Sequence, residues 1–140
     1  MKRSTFAAHG TYTLAVQDRI LYTTVCGPWN IEAVQAYTRE MEQKIATLIG
    51  APWGVLATIQ GEAIHTTESH LALVETVRRH RLVGRCGTAI LLQVDRAVSL
   101  VKVMFEKLYA DAGEPCTFFD DEASAQSWLN AQIAASEAAA

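Results

Sequence analysis

Ile90, Leu91 and Leu92 stand side by side in the run formed by residues 88–94. Successive side chains of a strand point to opposite faces, so three aliphatic neighbours in a strand leave neither face for water. A strand of this kind belongs in a sheet covered by helices on both sides, or by helices on one side and a partner on the other, as parallel strands of α/β proteins are. The rest of the chain must supply those covers.

It does so by alternation. Residues 11–16 are rich in β-branched and aromatic side chains, Gln17-Asp18-Arg19 interrupts them, and residues 20–25 resume with Tyr22, Thr23 and Thr24, which predicts a hairpin. Gly27-Pro28 stops the second strand, because proline cannot donate to the ladder, and Asn30 is a suitable N-cap. Ile31, Val34, Tyr37, Met41, Ile45 and Leu48 then recur at three- and four-residue steps, which predicts an amphipathic helix ended by Gly50 and Pro52. Residues 53–59 read as a central strand. A second helix starts near Thr66 or Thr67, with Leu71, Val74 and Val77 on its inner stripe. After the strand at 88–94, a third helix carries Leu100, Val101, Met104, Phe105 and Leu108 on a wide apolar face and ends at the loop 111–115. Residues 116–119 form a last short strand, and Asp120 is read as the cap of a fourth helix anchored by Ala125, Trp128, Leu129 and Ile133. The expected order is β-β-α-β-α-β-α-β-α. Each β-α-β unit should cross over right-handed, so this is an α/β chain with a mixed sheet and helices packed upon it.

With 140 residues, half of them apolar, the chain can bury a core without staples. The expected organisation is a flexible N-terminus at 1–9, one domain at 10–133 and an alanine-rich tail at 134–140 that extends the last helix before fraying. Cys26, Cys86 and Cys116 are odd in number and widely spaced, which fits neither a disulfide framework nor a CxxC motif; they read as small reduced hydrophobes. The basic N-terminal residues are not followed by an apolar signal-type region, and no apolar run approaches the roughly 20 residues of a membrane span. A cytoplasmic protein is expected. The formal charge of −3 is spread along the chain and excludes a nucleic-acid footprint. The local cluster Arg78-Arg79-His80-Arg81, with Arg85 nearby, is read as complementing the negative end of a helix dipole.

Three local signatures accompany the element order: Gly27-Pro28-Trp29-Asn30, Ala51-Pro52-Trp53, and Phe118-Phe119-Asp120-Asp121-Glu122-Ala123 with Trp128-Leu129. Over residues 10–129 this layout resembles the STAS-type domains, and in particular their SpoIIAA-like branch, many of which are small stand-alone bacterial proteins. The resemblance implies a phosphoacceptor hydroxyl between the third strand and second helix, in an Asp-Ser-Ser-Gly or Asp-Ser-Thr-Gly setting. Thr66-Thr67-Glu68-Ser69 falls there instead, with Glu68 at the usual phosphoacceptor position, so the resemblance comes without that motif. Trp29 and Trp128 are expected to be packing residues.

Catalytic signatures are sparse. His65 and His70 lie near Glu62 and Glu68, but a five-residue step does not place two histidines on one helical face as HExxH does, so no metal site is expected. No GxSxG elbow, GxGxxG turn or GxxxxGK loop is present, and no cofactor is expected. The first functional expectation is therefore a non-enzymatic regulatory or protein-interaction module, using His65, Thr66, Thr67, Glu68, Ser69 and His70 as a face for an unidentified protein partner or an anion. The second is a carrier or sensor of a small apolar or lipid-like ligand in a crevice between the second and third helices, with Leu100, Val103, Met104 and Phe105 forming either that site or a homodimer face. An enzyme of dispersed residues, such as His65 with Glu62, is the third.

Overall fold

The computed structural model describes residues 10–139; the expected flexible segment at 1–9 lies outside the described residues, as does Ala140. Two strands, β1 (Thr11–Gln17) and β2 (Ile20–Gly27), precede α1 (Ile31–Lys44). The chain then alternates: β3 (Trp53–Gly61), α2 (Thr67–Arg81), β4 (Arg85–Gln93), α3 (Val98–Ala112), β5 (Cys116–Phe119) and α4 (Glu122–Ala139). The strands lie in sequence order, β1-β2-β3-β4-β5, with β1 antiparallel to β2 and every other neighbour parallel. Leu21, Val55, Thr88 and Cys116 mark one row across the sheet.

Parallel neighbours taken in sequence order with crossovers of one hand put their connecting helices on one face. Accordingly α1, α2 and α3 share a core with Leu21, Val55, Ala57, Ile59 and Ile90, whereas Ile20, Leu56, Ala89 and Leu91 turn the other way onto Ala125, Leu129 and Ile133 of α4. The consecutive aliphatics of β4 thus divide between two cores, Ile90 and Leu92 on the three-helix side and Leu91 under α4. Close approach of α4 depends on Gly54, where a Cβ would fall 2.8 Å from Leu129 Cδ2.

Local chemistry explains most boundaries. Asn30 Oδ1 accepts from the Ala33 amide at 2.9 Å, and Thr66 Oγ1 accepts from the Ser69 amide at 3.1 Å, so both helices start at capped ends. Four expectations are corrected. The first helix stops at Lys44 and tightens into a 3-10 turn (Ile45–Thr47), although Ile45 and Leu48 remain buried. Asp121 rather than Asp120 caps α4, accepting from the Ser124 amide at 2.8 Å. β4 starts three residues before 88, at Arg85, whose side chain is buried rather than grouped with the basic residues at the end of the second helix. The wide stripe of α3 is not one face, because Phe105 is buried while Leu100 and Val103 are 52% and 59% exposed. Helix α4 runs through most of the alanine-rich segment.

Candidate functional site

The three-helix face of the sheet does not close completely. An apolar cavity of about 90 Å³ lies between the sheet and the helices, several times the ~15 Å³ that one water needs. Its sheet wall is the inner row of β3, Val55, Ala57 and Ile59, in which the middle side chain is only a methyl group. Met41 and Tyr37 of α1, Leu73 and Val77 of α2, and Phe105 and Leu108 of α3 form the opposite wall. Tyr37 donates its hydroxyl to Thr23 Oγ1 at 3.1 Å, and burial pushes its phenol up to about 12. Burial also raises the neighbouring Tyr109 phenol, so both rings stay neutral.

At the far end the cavity touches Arg85. Its Nε donates to Glu114 Oε2 at 2.7 Å, its Nη2 to Thr88 Oγ1 at 2.8 Å, and its Nη1 to His80 Nδ1 at 3.3 Å. Thr88 Oγ1 also donates to Glu114 Oε2, and Arg81 reaches Glu114 Oε1 at 3.2 Å. Arg85 is therefore a buried cation whose charge is matched inside the protein. Burial, with Arg85 and Arg79 close by, drives the His80 imidazole down to about 3 and keeps it a neutral acceptor for that guanidinium.

The mouth lies where β2 and β3 end. A Cβ on Gly27 would fall 1.9 Å from the Glu62 carbonyl oxygen, so only glycine lets the segment after β3 lie against the end of β2. Trp29 donates through Nε1 to the Cys26 carbonyl at 3.3 Å and packs edge-on to Tyr37, with ring centres 4.9 Å apart. His65 completes the rim. Its ring stacks on His70 at 5.8 Å and meets the edge of Phe105 at 5.7 Å, and its Nε2 is buried with no hydrogen-bond partner. Burial, reinforced by the charge of His70, holds the His65 imidazole below its ordinary value. Behind it, His70 Nε2 lies 3.0 Å from Asp111 Oδ2, and Lys107 binds the same carboxylate at 3.2 Å.

No family model matches the chain, and no curated protein does. A solved structure does match: a DUF3478-family protein from Shewanella loihica PV-4, described as uncharacterised and as having a SpoIIAA-like fold, aligns with a TM-score of 0.59 at 18% identity. The alignment covers 91% of this chain and 99% of that one. The fold is SpoIIAA-like.

Within this SpoIIAA-like frame the expected face at 65–70 divides. Thr66, Thr67 and Glu68 are exposed at the start of α2, with Glu68 in the first turn, where a carboxylate is electrostatically favoured. Ser69 is fully buried beneath the cap, within 3.2 Å of the Thr66 hydroxyl, and so departs from that face. His65 and His70 are half-buried and stacked, and only His65 of the two lines the cavity. Glu62 also lines it but is exposed, and no hydrogen bond joins it to His65 among the described residues. Of the α3 residues, Phe105 enters the cavity wall whereas Leu100, Val103 and Met104 do not. Among the described residues no cluster of three His, Cys, Asp or Glu side chains could hold a metal ion, and no helix is long and apolar enough to cross a membrane. Gly27, Trp29, Tyr37 and Arg85 were not anticipated as site residues. The turn signal Gly27-Pro28 and the small Ala57 between Val55 and Ile59 in one row of β3 were the available clues.

Proposed function

We propose that this chain is a non-enzymatic binding module that holds a small apolar ligand between the sheet and α1–α3. The observation that carries this reading is the cavity itself, apolar along its walls and opening beside His65 and Trp29. Because Thr66, Thr67 and Glu68 follow His65 directly, occupancy would be felt at an exposed corner that a protein partner can touch, which makes a sensor a natural use of the fold. The free thiols of Cys26, Cys86 and Cys116 support a reducing, cytoplasmic setting. Native mass spectrometry after gentle purification, followed by challenge with a panel of small apolar compounds, tests the proposal. Added mass on each chain is expected. A chain that remains bare throughout, with unmoved NMR signals for Ala57 and Phe105, defeats it.

A second reading rests on the exposed outer side of α3, Leu100 and Val103. We infer a homodimer through these side chains. The same spectra recorded at two protein concentrations test it: a concentration-dependent doubling of mass that Val103→Glu abolishes supports the dimer, and a monomer at both concentrations removes it.

A further inference from the structure

We propose that the ligand of the cavity beneath α1–α3 carries a neutral carbonyl oxygen at one end of an apolar body, and that it binds with this oxygen innermost, accepting from the Tyr109 hydroxyl beside Arg85. The inference rests on the apolar-ligand reading above and adds the ligand's polar end and its direction.

Tyr109 lines the cavity and is 8% exposed, and its hydroxyl has no hydrogen-bond partner among the described residues. His65 Nε2 and His80 Nε2 also lack partners, but protein atoms seal them off; the Tyr109 oxygen is not sealed. Deep burial raises its phenol, so the surface left to that oxygen faces the internal space rather than the outside. Arg85, also on the cavity wall, has its Cζ 6.0 Å from the centre of the Tyr109 ring. A guanidinium has five N–H donors, and Arg85 uses three of them, on Glu114, Thr88 and His80. The inner end of the cavity is thus rich in donors. A ligand without an acceptor leaves them bare, and one with an oxygen there satisfies them.

That oxygen is neutral because Glu114 already balances Arg85. A ligand carboxylate would be a second anion beside one buried cation, since Arg81, the other guanidinium on Glu114, is partly in water. The remaining polar side chains give the direction. Tyr37 donates to Thr23, Thr76 to the Ala72 carbonyl at 3.0 Å, and Gln60 to Gln93 Oε1 at 2.8 Å. Glu62 is unpaired, but it stands exposed at the mouth, where its charge disfavours an acceptor. The oxygen therefore enters first, and the apolar body rests toward Phe105 and Trp29.

Methyl isopropyl ketone, the alkene in which a methylene group replaces the ketone oxygen, and isobutyrate are near-isosteric probes. In NMR titrations of the full chain the ketone and the alkene should bind, with isobutyrate weaker than the ketone. Tyr109→Phe, which removes one oxygen and keeps the ring, should weaken the ketone about tenfold, equivalent to ~1.4 kcal/mol, and leave the alkene unchanged. A merely structural role for Tyr109 would weaken both alike. On the parent chain, independently of whether the variant folds, the carbonyl carbon resonance of the bound ketone should lie downfield of its position in hydrocarbon solvent, as a hydrogen-bonded carbonyl does. An undiminished ketone affinity in the variant, an equal loss for the alkene, tighter binding of isobutyrate than of the ketone, alkene binding without ketone binding, or a resonance at its hydrocarbon position overturns the inference. Binding of the alkene in any of these cases leaves the apolar-ligand reading standing, and binding of none of the three overturns both.

Discussion

Arg85 and Glu114 form an ion pair inside the protein: Nε lies 2.7 Å from Oε2, and the Glu114 side chain has no exposed surface. The two residues come from the start of β4 and the loop before β5, so the pair fastens neighbouring parallel strands at their N-terminal ends. Thr88 and Arg81 complete the shell around the carboxylate. Removing one partner leaves a buried charge unmatched, and Glu114→Ala should cost about 3–5 kcal/mol in chemical denaturation. The double variant Arg85→Met/Glu114→Leu should lose clearly less than the sum of its two single changes. Additivity would contradict the pairing.

Gly27→Ala should damage the mouth of the cavity more than its surroundings. The added methyl meets backbone rather than a movable side chain, so the segment from Glu62 must shift, at about 1–3 kcal/mol or more. Chemical-shift changes should concentrate at 62–66 and at Trp29. A stability equal to that of the parent would show that the two backbones are not in contact.

His80 gives the fold a defined pH dependence. In the unfolded chain its imidazole takes a proton near 6.5, but in the fold only near 3, so between these values the unfolded state binds the extra proton. Stability is therefore complete above about pH 6.5 and is lost as pH falls toward 3, at about 1.4 kcal/mol per pH unit within the window. His65, also depressed, acts in the same direction. Urea midpoints at about pH 7 and about pH 5.5 should differ accordingly. His80→Gln, which keeps an acceptor for Arg85 but does not titrate, should flatten most of that difference.

Arg19, in the turn between β1 and β2, donates from Nε to the Pro52 carbonyl at 3.0 Å and from Nη2 to the Ala51 and Leu48 carbonyls. It ties the hairpin to the segment that enters β3. Arg19→Ala should cost about 1–2 kcal/mol given its partial exposure, and Arg19→Lys should restore little, because one ammonium cannot reproduce the planar fork. Full rescue by lysine would mean that charge alone matters at this turn.

The sheet and its covers could be read from side-chain periodicity because burial on two faces writes itself into adjacent residues, as at Ile90-Leu91-Leu92. Caps were legible for the same local reason, Asn30 and Thr66 each serving an amide three residues on. Arg85 was misread because its partner, Glu114, is 29 residues away, and no local pattern distinguishes a buried arginine from a solvated one. The apolar positions of α3 were read as one stripe, but the packing of α2 alongside takes Phe105 inward and leaves Leu100 and Val103 outside. The cavity was least visible of all. It is space left between elements, and only the methyl group of Ala57 hints at it.

The unequal cover of the sheet bears on the order in which the chain matures. Three helices cover one face as they are woven between the strands, but the opposite face has α4 alone, and α4 follows every strand that it shields. During synthesis, when domains consolidate from the N-terminal side, Ile20, Leu56, Ala89 and Leu91 stay bare until that helix emerges. The nascent sheet thus passes through an interval with one greasy side open, and the interval at which a chaperone has most to hold is set by the timing of a single helix.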